Sequence, residues 1–189
     1  ESIDPLLKNA LQRIDELSQS DSHITGLSTG YYELDDKTSG WQKSDLIIVA
    51  ARPSMGKTTF AMNAVEHALL HQDKPVLVFS LEMPAESLIM RLWSSVGRID
   101  QTHVRNGRLE QDEYDKLTIA VKKLKGRPLF IDDTPGLSPA GLRARVRRLQ
   151  REHGDIAMIM VDYLQLMRVT GSNEGRTAEI SEISRTLKG

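Results

Sequence analysis

The sequence predicts an α/β fold with a mainly parallel sheet covered by helices, on three observations. Short continuous apolar runs occur at Leu46–Ala51, Val76–Leu81, Leu129–Ile131 and Ile156–Val161. They lack polar alternation, which suits strands buried on both faces. Helix-length segments follow most of them, long enough for right-handed crossovers between parallel strands. A Gly56-Lys57-Thr58 turn closes the first run and opens the first of these helices.

In chain order, Ile3, Leu7, Ala10, Leu11, Ile14 and Leu17 recur at spacings of mostly three and four, the stripe of an amphipathic helix. Residues 1–17 are therefore assigned to a separate helix. The polar stretch 18–23 follows as a connector, and 24–189 are assigned to the α/β domain. Helices are predicted near 57–72, 84–97, 110–125, 138–153 and 176–188. Pro84, Ser138 with Pro139, Gly126 and Gly154 supply their starts and stops. His103 and His153 lie in polar surroundings and read as surface residues.

The 189 residues carry 25 basic and 26 acidic side chains, a net charge of -1, and 39% hydrophobic residues, which excludes a disordered or collagen-like chain. With no cysteine, disulfides, thiolate metal sites and cysteine nucleophiles are all excluded. No apolar run is long enough to span a membrane and no signal peptide opens the chain, so a cytoplasmic protein without membrane contact is expected. Charge is uneven: residues 1–45 balance at -5 and the remainder at +4, so anions belong to the second part. There Arg143, Arg145, Arg147, Arg148 and Arg151 crowd one segment opposite Leu142, Val146 and Leu149. That pattern fits a solvated helix face, or a contact with phosphate or a neighbouring subunit.

The informative string is Ala51-Arg52-Pro53-Ser54-Met55-Gly56-Lys57-Thr58-Thr59, between a predicted strand and a predicted helix. It reads as a P-loop, although Ala51 stands where the usual pattern opens with glycine. Residues 52–59 would wrap a phosphate with backbone N–H groups at a helix N-terminus. Lys57 would reach the β- and γ-phosphates of a nucleotide, and the Thr58 hydroxyl would ligate Mg²⁺. Two carboxylates end predicted strands, at the edge where open α/β sheets bind ligands. Asp162 follows a strand too apolar to end in a buried acid unless it holds water or a cation such as Mg²⁺. Glu82 could polarise an attacking water, or alternatively cap the helix after Pro84. Asp132 and Asp133 precede Thr134-Pro135-Gly136 and read as structural turn acids.

Rival chemistries find little support. There is no Gly-x-Ser-x-Gly elbow. His67 and His71 have the spacing of a zinc-protease helix, but Ala68 occupies the place of the glutamate base.

With Phe79-Ser80-Leu81-Glu82-Met83, Ile131-Asp132-Asp133 and Val161-Asp162-Tyr163-Leu164-Gln165-Leu166-Met167 beside the P-loop, the chain resembles the RecA-like motor domain of bacterial replicative DNA helicases of the DnaB family. Glu179 to Lys188 is similar to that family's helix after the Walker-B strand. The resemblance implies that Lys57 and Thr58 bind ATP and Mg²⁺, that Glu82 is the catalytic base, and that Asp162 is the Walker-B acid. It implies that residues 3–17 dock on the adjacent subunit of a homohexamer with ATP sites at its subunit interfaces. It further implies single-stranded DNA, a helicase loader and primase as partners of the full-length protein, within a primosome. A recombination or repair ATPase of the RecA superfamily, or a fragment that only binds, remains the alternative. The family continues past the position of Gly189 with a further strand, a DNA-binding loop and an arginine finger, and has an additional N-terminal domain. The expectation is therefore an incomplete domain whose sheet lacks a central strand.

Overall fold

A computed structural model of the chain describes residues 2–52, 54–162, 183–185 and 187–188. Pro53, the Tyr163–Met167 string after Asp162 and most of the helix expected at 176–188 lie outside the described residues. The chain divides into two compact units, Glu1–Asp45 and Leu46–Gly189.

In the first unit, α1 (Ile3–Ser18) is the predicted amphipathic helix, and it buries none of its residues. Ile3, Leu6, Leu7, Leu11, Ile14 and Leu17 are all exposed. A short helix, α2 (Tyr32–Thr38), is held by the buried Asp35 carboxylate. It accepts hydrogen bonds from the Ser28 hydroxyl at 2.7 Å and the Thr29 amide at 2.9 Å. Leu27 and Trp41 form an antiparallel bridge that closes this loop.

The second unit is built on a three-stranded parallel sheet of β1 (Val76–Ser80), β2 (Leu129–Asp132) and β3 (Met158–Asp162), in the order β2-β1-β3. All five residues of the central strand are buried, as its unbroken apolar run requires. Leu77 and Phe79 pack in one cluster with Leu137, Leu142 and Ile183, bordered by Val146, Leu149 and Ile156. The pleat turns Val76 and Val78 to the opposite face. Full burial of each such side chain stabilises the fold by about 1.5–3 kcal/mol.

Helices α3 (Lys57–His71), α4 (Ala85–Gly97), α6 (Gln111–Leu124) and α7 (Pro139–His153) match the predicted segments within a residue or two, and α5 (Gln101–Asn106) is additional. Local chemistry sets their ends. Ser138 accepts from the Gly141 amide at 3.1 Å ahead of Pro139, starting α7. Asp100 accepts from the Thr102 amide at 2.7 Å to start α5. Glu110 and Glu113 form a reciprocal capping box on α6.

One predicted strand is absent. Leu46–Ala51 is not a strand: the segment has no regular structure, and Ile48 at its centre is 62% exposed. Apolar content favours a strand, but a ladder partner makes one, and this segment has none among the described residues. His103 lies at the surface as expected, its side chain 38% exposed, but its Nδ1 lies 2.8 Å from the buried Glu113 carboxylate, a partner that ties α5 to α6.

That tie makes stability pH-dependent. The hydrogen bond to Glu113, together with the charges of Glu113, Asp100 and Glu110, raises the His103 pKa above its ordinary 6.5. The Glu110 amide and the His103 ring lower the Glu113 pKa below its ordinary 4.5. The His103 contribution is therefore full below about pH 6.5 and is lost as pH rises through the raised folded value. The Glu113 contribution is full above about pH 4.5 and is lost as pH falls through its lowered value. Comparing thermal unfolding of the wild type with His103→Gln should give the largest gap between about pH 4.5 and 6.5, shrinking as pH rises beyond that through the raised His103 value. A gap independent of pH would show that the pair is not ionic.

Candidate nucleotide site

Parallel pairing brings the C-terminal ends of the three strands level: Ser80 lies opposite Asp162, and Phe79 opposite Asp132. All the candidate carboxylates therefore sit along one edge of the sheet. The P-loop helix α3 begins at the same edge, packed against β3 and β1.

Gly56 precedes α3 with φ of 78°, a left-handed conformation that an L side chain resists. Its missing side chain leaves the first-turn amides of α3 without a side-chain cap, and no acidic residue lies in that turn. An uncapped helix N-terminus of this kind suits an anion. Lys57 and Thr58 occupy the first turn and are half-buried, and Arg52, Ser54, Met55 and Thr59 are exposed around them.

The Thr58 hydroxyl donates to Asp162 Oδ2 at 3.2 Å, across 104 residues of sequence. Asp162 is 5% exposed, so a nearly buried carboxylate faces one hydroxyl at the mouth of an uncapped helix. One acid and one hydroxyl is a donor set that suits Mg²⁺, a hard cation usually held by few protein ligands and completed by water or phosphate oxygens. Among the described residues no cluster of three or more acidic or histidine side chains forms a self-sufficient metal site.

Glu82 is joined to this pair through the backbone. The Leu81 amide donates to the Asp162 carbonyl at 2.7 Å, extending the β1–β3 pairing by one step and setting Glu82 beside the end of β3. Glu82 is exposed, and its carboxylate has no partner among the described residues. It does not cap α4. That cap comes from Asp133, whose Oδ2 accepts the Ala85 amide at 2.9 Å.

The sequence reading missed this cap because the partners lie 48 residues apart and no local pattern joins them. It also missed the brace beneath Asp133. Asp132 accepts the Thr134 amide at 2.9 Å and pairs with Arg145 of α7, which donates to the Thr134 hydroxyl at 2.8 Å. Burial opposes ionisation of Asp132, but Thr134 and the Arg145 guanidinium outweigh it and hold the carboxyl below its ordinary value. Of the arginine-rich face of α7, Arg147, Arg148 and Arg151 are exposed, whereas Arg145 turns inward to this loop. His67 and His71 stack at 4.0 Å at the end of α3, close to the helix end near 72 that the sequence predicts.

Comparison with known proteins identifies the family of this fold. Residues 26–189 match the model of the DnaB-like helicase C-terminal domain. The chain is 55% identical, over its full length, to the replicative DNA helicase DnaB of Pasteurella multocida, and 44% identical to the replicative DNA helicase DnaC of Bacillus subtilis. In each case it spans 41% of the relative's length. Among solved structures, the ATPase domain of G40P superimposes with a TM-score of 0.90 at 33% identity, covering 99% of this chain and 66% of that one. A DnaB-like replicative helicase, described together with its interactions with primase, gives 0.88 at 33% identity, with 99% and 46% coverage. A RecA-like α/β fold, a P-loop helix facing a strand-end aspartate, and a family match over most of the sequence converge: the chain belongs to the DnaB-like helicase C-terminal domain family.

Proposed function

We propose that this chain is motor machinery of a replicative DNA helicase, hydrolysing Mg²⁺-ATP to drive movement on single-stranded DNA and duplex unwinding. The observation that carries this reading is the Thr58–Asp162 hydrogen bond at the mouth of the P-loop helix, with Glu82 set one residue beyond the β1–β3 ladder. Residues 52–59 cradle the phosphates, and Lys57 neutralises the β- and γ-oxygens. Thr58 and Asp162 hold Mg²⁺, which when bound screens charge on the phosphates. Glu82 accepts the proton of the attacking water, and its lack of another partner leaves the carboxylate available.

The names of the relatives support unwinding over strand exchange. An unwinding assay on the full-length protein tests the reading. ATP-dependent separation of a forked duplex is expected, and ATPase activity with strand exchange but no unwinding would overturn it.

Assembly follows from the same reading. The exposed apolar stripe of α1 covers a neighbouring copy in a homohexamer with ATP sites between subunits, and a loader and primase act on the assembled ring. No described helix is long and apolar enough to cross a membrane, and a cytoplasmic location suits the proposed work. Removing residues 3–17 should shift the full-length protein to smaller species in sedimentation. An unchanged mass distribution would show that α1 does not hold copies together.

A further inference from the structure

Building on the reading of Glu82 as the base, we infer that Ser80 and Asp133 are positioning residues that hold the Glu82 turn in place. Glu82 lies in a short connection between β1 and α4, where backbone freedom would displace its carboxylate. Both flanks are tied. On the strand side, the Leu81 amide is fixed to the Asp162 carbonyl. Around the turn, the Ser80 hydroxyl donates to the Met83 carbonyl at 2.7 Å and accepts from the Met83 amide at 3.2 Å. One buried hydroxyl thus closes a ring across Leu81 and Glu82, and Ser80 is only 1% exposed.

On the helix side, α4 starts after Pro84, which has no side-chain acceptor to cap it. Asp133 supplies the acceptor from the β2–α7 loop. Its negative charge also suits the positive end of the helix. The loop is itself braced, because the residue before Asp133 is held by Thr134 and Arg145. Within residues 80–85 the Glu82 carboxylate has no partner among the described residues, while the Ser80 hydroxyl and the amides of Leu81, Met83 and Ala85 around it are bonded. This pattern fixes the backbone and leaves the carboxylate free to meet a ligand.

Helix capping alone would predict a stability role and nothing else. Positioning predicts that the effect disappears when there is no base to position, because residues acting as a unit are non-additive. The experiment compares Asp133→Ala, Asp133→Asn and Ser80→Ala in the full-length protein, each alone and combined with Glu82→Gln. Asp133→Ala and Ser80→Ala are expected to lower ATP turnover by about 10- to 100-fold, the scale of a displacement near 1 Å, with nucleotide affinity unchanged. Asp133→Asn keeps an oxygen for the Ala85 amide and should restore most of the turnover. In the Glu82→Gln background neither alanine substitution should slow turnover further. In nucleotide-free protein, amide exchange at Ala85 should quicken in Asp133→Ala, and at Met83 in Ser80→Ala.

Equal losses in both backgrounds would overturn the inference, as would full turnover despite faster exchange. If Glu82→Gln alone slowed hydrolysis and neither alanine substitution did, only the positioning role would fall. If Glu82→Gln left turnover intact, the base assignment would fall and the positioning role with it. Should Ser80→Ala not fold, Asp133 at its exposed site carries the test.

Discussion

Replacing Lys57 with alanine is expected to weaken ATP binding by about tenfold to a hundredfold and to reduce hydrolysis with it. The first turn of α3 has neither a side-chain cap nor an acid and therefore presents its amides and dipole to an anion. Those amides would remain in the variant, so binding should be reduced and not abolished. What is lost is the single cation of the P-loop's first helical turn, and charged hydrogen bonds of this kind contribute about 1.5–3 kcal/mol each. At about 1.4 kcal/mol per decade, that is the expected loss. Titration with a fluorescent ATP analogue, alongside steady-state turnover, gives the check. Unchanged affinity together with unchanged turnover would refute the P-loop reading.

The parts of the site that were legible in the sequence share one property: their information is local. The apolar runs of β1, β2 and β3 end at Ser80, Asp132 and Asp162, and the rule that ligands gather at strand C-termini pointed to Glu82 and Asp162 without coordinates. The Gly-Lys-Thr turn identified the start of α3 in the same way. The Thr58–Asp162 pairing, by contrast, needed the sheet order, since the two residues meet only because β3 lies beside β1 and α3 packs on both.

Where the sequence misled, the missing information was a partner. Leu46–Ala51 has the composition of a buried strand, yet composition cannot supply the neighbouring backbone that a ladder requires. Thr134-Pro135-Gly136 beside Asp133 suggests a turn acid, but the Asp133 carboxylate serves α4, on the far side of two intervening helices in the chain. His103 and Glu113 are only ten residues apart, but a turn separates their helices and no periodicity links them. The short helices α2 and α5, of 7 and 6 residues, carry too few turns to generate a stripe.

Glu82→Gln carries the sharpest expectation, because it separates binding from chemistry. Glutamine keeps the size and shape of glutamate and removes the capacity to take a proton. Since Glu82 bonds no described residue and the α4 cap belongs to Asp133, the exchange should leave the fold and the phosphate cradle undisturbed. Nucleotide affinity is therefore expected to persist while hydrolysis falls by about 10² or more, the scale of a positioned general base. That loss corresponds to roughly 2.7 kcal/mol of transition-state stabilisation. Single-turnover hydrolysis with saturating ATP isolates the chemical step from binding and from product release. A fall in affinity with the chemical step intact would make Glu82 a structural acid and move the search for the base to another group at the same sheet edge.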